Sequence, residues 1–187
     1  MIKMTAVSLL SLTMWGSAGP TLAQHPTNPY AAQETREIKA LSQKEVDDLA
    51  QGRGVGLAKP AELNRYPGPL HVLELAPELQ LAAGQRNAVE ASKARMSARA
   101  KALGAEIIDL ERELDAAFAE RKIDQVRLNQ LTAQIGAKQA MLRAVHLVAH
   151  IETAQLLTPE QIARYNRLRG YDGPSERGAN DLGAKRH

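Results

Sequence analysis

The chain has 187 residues, no cysteine, one tryptophan, one phenylalanine and a formal charge of +3. Disulfides, thiolate metal sites and cysteine nucleophiles are thereby excluded. Interleaved acidic and basic side chains make no case for nucleic acid.

In chain order, Lys3 followed by the apolar run Met4–Ala18, the break Gly19-Pro20 and the small-residue site at Thr21-Leu22-Ala23 read as a cleavable export signal over residues 1–23. The run is too short to span a bilayer. Without a cysteine, a lipid anchor at the cleavage site is excluded, so no membrane insertion is expected after cleavage. Residues 24–40 read as a polar, flexible lead. Ser42 and Glu45 form a capping box for a short helix, with Leu41 and Val46 as its hydrophobic staple. Gly52, Gly54 and Gly56 stop that helix. They lack the preceding strand and the Gly-Lys-Ser/Thr ending of a phosphate loop, and so read as a turn. Residues 60–69 are Pro-rich and read as irregular, and a short helix is expected from Leu70 to Leu75. Residues 41–80 are thus short helices and Gly/Pro-rich loops.

Only 3% of residues are aromatic, and Ala, Leu, Gln, Arg and Glu favour helix over sheet. Val89, Met96, Leu103 and Leu110 recur every seven residues, joined by Ile107, Leu114 and Phe118. They mark the seam of a helix of about nine or ten turns. Asp124 caps a second long helix with its own seam, Leu128, Leu131, Ile135, Leu142, Val145 and Ala149. Two seamed helices joined by a short connection predict an all-α fold built on a long antiparallel helical hairpin over 81–170. Leu157-Thr158-Pro159-Glu160-Gln161-Ile162 opens the last helix with a capping box, proline at the first position and a staple. Gly170 ends it, and residues 171–187 read as a disordered tail.

The Leu-Thr-x-x-Gln motif at 157–161, closing a helical hairpin in an exported chain, resembles the Spy/CpxP superfamily of periplasmic proteins. A second copy at 81–85 keeps Leu81 and Gln85 but has Ala82 where the motif has threonine. The resemblance covers roughly residues 70–171. It implies a cradle-like homodimer in the periplasm and one of two roles. The first is an ATP-independent chaperone holding unfolded envelope proteins. The alternative is a heavy-metal sensor or resistance protein. A regulator that binds a stress-sensing membrane partner is a third reading.

His146 and His150 lie four apart on one helix face, a spacing competent for Zn, Cu, Ni or Co. Counting from the turn sets Met96 level with Val148, which makes Met96 a soft third candidate ligand, and His71 is a fourth if its segment folds back. The bland reading has both histidines flanking the seam with their tips in water and Met96 as core filler. Leu147 stands where a zincin's catalytic glutamate would be, and no nucleophile has a partnered base. The chain is therefore read as no enzyme, with no catalytic residues and no required cofactor.

Overall fold

Caps and prolines decide where the helices of the described chain, residues 28–171 of the computed structural model, begin. The chain divides into two units, residues 1–34 and Thr35–His187. Of the first, only a turn is described, in which Asn28 accepts from the Tyr30 amide. The export signal expected over 1–23 and the tail beyond Tyr171 lie outside the described residues.

In the second unit, α1 (Gln43–Ala50) starts on the expected capping box. The Ser42 hydroxyl accepts from the Glu45 amide at 3.3 Å, and Glu45 accepts from the Ser42 amide at 2.7 Å. The stretch expected to be irregular contains α2 (Lys59–Leu63). Proline in the first helical turn removes only an amide that would have no partner there, so Pro60 opens a helix rather than preventing one. α3 (Pro69–Glu74) begins on Pro69, one residue before the expected start.

The two long helices are α4 (Ala83–Ala119) and α5 (Gln125–Leu156). Asp124 caps α5, accepting from the Arg127 amide at 2.8 Å. The helices pack along each other, with Arg127 paired to Glu113, Lys138 to Glu106 and Arg95 to Glu152. Residue numbers therefore fall along α5 as they rise along α4. These pairs sit at the surface, where water and salt screen them, so the seam holds the helices together. Val89, Leu103, Ile107, Leu131 and Leu142 are all at most 4% exposed, and full burial of such a side chain stabilises by roughly 1.5–3 kcal/mol. At the seam's far end Phe118 is 53% exposed. The seam opens toward the turn between the two helices.

α6 (Pro159–Leu168) starts on the complete capping box at Thr158. At the degenerate copy only half of a box exists: Gln85 accepts from the Ala82 amide at 3.1 Å, and alanine offers nothing in return. The two motif glutamines meet. Each side-chain amide donates to the other's oxygen, at 2.9 and 3.0 Å, and each also reaches a backbone carbonyl, Gln85 that of Leu156 and Gln161 that of Leu79.

Two apolar clusters result. Val72, Leu79, Val89, Leu157 and Tyr165 join α3, α4 and α6, while Ala100, Leu103, Ile107 and Leu142 receive α1 through Leu49. α1 comes so close to α4 that the Leu49 carbonyl rests directly on Gly104. Before α1, at the end of the stretch expected to be flexible, Ile38 is 3% exposed and Lys39 bonds Asp115 through both its amide and its ammonium.

Candidate functional site

A cavity of about 620 Å³ is lined by residues of both long helices and of the segment 52–71. All four residues singled out from the sequence line it: His146, His150, Met96 and His71. The reading that leaves the histidine tips in water does not hold, because His146 is 5% and His150 9% exposed. The cover comes from glycines. A Cβ on Gly54 would lie 3.0 Å from His146 Nδ1, and one on Gly68 would lie 2.8 Å from His150 Cε1. Only residues without a side chain let the backbone approach the rings this closely.

The two imidazoles are held differently. His150 Nδ1 lies 2.8 Å from the Tyr66 carbonyl. A carbonyl only accepts, so Nδ1 carries the hydrogen, and the lone pair of the neutral ring lies on Nε2, the atom 3.0 Å from a Cβ on Gly68. His146 is kept neutral because burial, and then the neighbouring His150, push its pKa below the usual histidine value. Its Nε2 is buried with no hydrogen-bond partner, a state that costs about 1–3 kcal/mol. His71 is held through the same nitrogen, its Nδ1 lying 2.9 Å from Glu74.

Glu62, on α2, was not singled out from the sequence. One carboxylate oxygen accepts from the Tyr165 and Tyr171 hydroxyls at 2.6 and 2.8 Å, with Arg169 at 3.5 Å. The other oxygen has no hydrogen-bond partner and lies 3.5 Å from His150 Nδ1. Burial, and then Glu62, push the Tyr165 hydroxyl's pKa far above its ordinary value, so it stays a donor. Tyr171, expected to begin the tail, instead forms part of the cavity wall.

The loop between α1 and α2 is strained. Val55, on the cavity wall, has φ of +35°, a conformation that a β-branched residue adopts only at a cost and that clusters at ligand-binding sites. Among the described residues no three His, Cys, Asp or Glu side chains gather into a group able to hold a metal, and no helix is long and apolar enough to cross a membrane. No family model matches the chain, and neither does any curated protein or solved structure.

Proposed function

We propose that this chain is an exported, non-catalytic periplasmic protein of the Spy/CpxP kind that binds a transition-metal ion in the cavity over His146 and His150. The observation that carries the reading is the state of the two rings. A neutral His146 is 5% exposed with a ring nitrogen that no protein group satisfies, one helical turn from a histidine whose other nitrogen is fixed by a backbone carbonyl. Metal-binding histidines are oriented by that kind of second bond. The family reading draws on the pairing of α4 with α5, which is that of an antiparallel hairpin, and on the contact between the glutamines of the two motif copies. The cradle-like homodimer remains part of this proposal.

Calorimetric titration of the chain with Zn(II), Cu(II), Ni(II) and Co(II) tests it. At least one ion is expected to bind saturably, one per chain, and His146→Gln/His150→Gln should weaken that binding by at least about tenfold. If no transition ion binds, Cu(I) included, or the variant binds equally well, the metal reading fails.

A different observation favours chaperone action as a second reading. Met141, Val148 and Ile151 lie on the side of α5 away from the core and are 48%, 49% and 45% exposed, an apolar strip able to hold an unfolded segment loosely. Serine at all three positions should abolish suppression of client aggregation, whereas the histidine variant should retain it. A wild-type chain that suppresses nothing at stoichiometric excess removes this reading.

A further inference from the structure

The donors and charges around the cavity are selective among metal ions. Its ligand candidates are two imidazoles and one thioether, because His71 lines the cavity without gathering with His146 and His150 into a three-residue group. His146 Nε2 has no partner, His150 keeps Nε2 free by donating through Nδ1, and Met96 projects from α4 onto the same cavity. All three are uncharged when they bind, and the thioether is a soft donor that suits Cu(I), while a set with no anionic ligand leaves a dication's charge unneutralised. The borderline dications favour a fuller set that includes anionic or additional nitrogen ligands, and among the described residues no three His, Cys, Asp or Glu side chains supply one.

The surrounding charge points the same way. Arg53, Lys59 and Lys93 line the cavity, and Glu62 is the one carboxylate among the lining residues. Arg53 is paired with Asp48 at 2.6 Å, and Glu62 is tied by two tyrosine hydroxyls with Arg169 at 3.5 Å, so no carboxylate among the lining residues is left over to offset an added dication. The desolvation cost of an ion grows with the square of its charge, about fourfold from +1 to +2. A dication held by neutral donors beside these cations would carry that larger cost uncompensated, whereas a monocation would carry about a quarter of it.

We propose that the ion bound over His146 and His150 is a soft monovalent one, Cu(I) or its redox-inert analogue Ag(I), held by His146, His150 and Met96. This rests on the metal-binding reading of the cavity, and the test separates the two. The full chain is titrated anaerobically with Cu(I) against a chromogenic Cu(I) chelator, and in parallel with Ag(I), Zn(II) and Ni(II). One Cu(I) or Ag(I) per chain is expected, bound at least about tenfold more tightly than either dication. Met96→Leu, which keeps the volume, should lower Cu(I) and Ag(I) affinity by at least the ~10-fold that follows loss of even an outer-shell group. It should leave any Zn(II) binding unchanged, with an unaltered melting curve as the check on folding. Zn(II) or Ni(II) binding as tightly as Cu(I) overturns the assignment while the metal site stands. Cu(I) binding unaffected by Met96→Leu also overturns it. Binding of no ion removes the assignment and the metal site together.

Discussion

Gly104→Ala is expected to destabilise the fold by about 1–3 kcal/mol, the range for forcing extra atoms into a packed contact. Alanine is otherwise the better helix former, and at an ordinary mid-helix position it would add about 0.5–1 kcal/mol. The sign reverses here because a Cβ on Gly104 would lie 2.6 Å from the Leu49 carbonyl carbon and closer still to its oxygen. That neighbour is backbone, so no side chain can rotate aside, and α1 must move off α4. Gly136 on α5 is the control. A Cβ there meets nothing within 4 Å, so Gly136→Ala should stabilise. Urea denaturation followed by circular dichroism reads both as shifts in midpoint. A stabilising Gly104→Ala would mean that α1 does not sit where it is described.

Removing Tyr165 should have the larger effect. The ring is fully buried between α3, α4 and the start of α6, so Tyr165→Ala is expected to cost about 3–5 kcal/mol. Tyr165→Phe keeps the ring and loses the hydroxyl's 2.6 Å bond to Glu62 together with its bond from the Gly68 backbone. A hydrogen bond to a charged group is worth about 1.5–3 kcal/mol, and the phenylalanine variant should fall in that range. The pair of variants splits packing from hydrogen bonding. A neutral Tyr165→Phe would show that the carboxylate contributes nothing to holding α6.

The helices were legible in the sequence because their signals are local. Ser42-x-x-Glu45, Asp124 and Thr158-Pro159-x-Gln161 state their role within four residues, and the capped starts stand within about two residues of where those signals set them. Met96 and the two histidines were legible as candidates because the seam has a fixed period. What covers the histidines was not legible. Gly54 read as a turn glycine and no local signal marked Gly68 or Gly104, since the reason each is glycine lies on another helix: His146, His150 and Leu49 respectively. Glu62 carried no signal in an ordinary Ala-Glu-Leu-Asn context. One clue was available. In a chain with four tyrosines, Tyr165 and Tyr171 stand six apart at the close of the last helix, and a buried tyrosine hydroxyl asks for an acceptor.

What a cut after the last helix would remove follows from that same pair. Gly170 takes a left-handed conformation, φ +73°, and a helix that ends on such a glycine looks like a natural place to shorten the protein. Tyr171 is the next residue. Its hydroxyl is on Glu62, its carbonyl accepts from Arg65 at 3.3 Å, and the Arg169 guanidinium lies 5.8 Å from its ring centre. A version cut at Gly170 would keep α1 to α6 and lose a residue that lines the cavity and holds Glu62. For expression and labelling, a fragment must therefore keep Tyr171, and an affinity tag belongs beyond that ring.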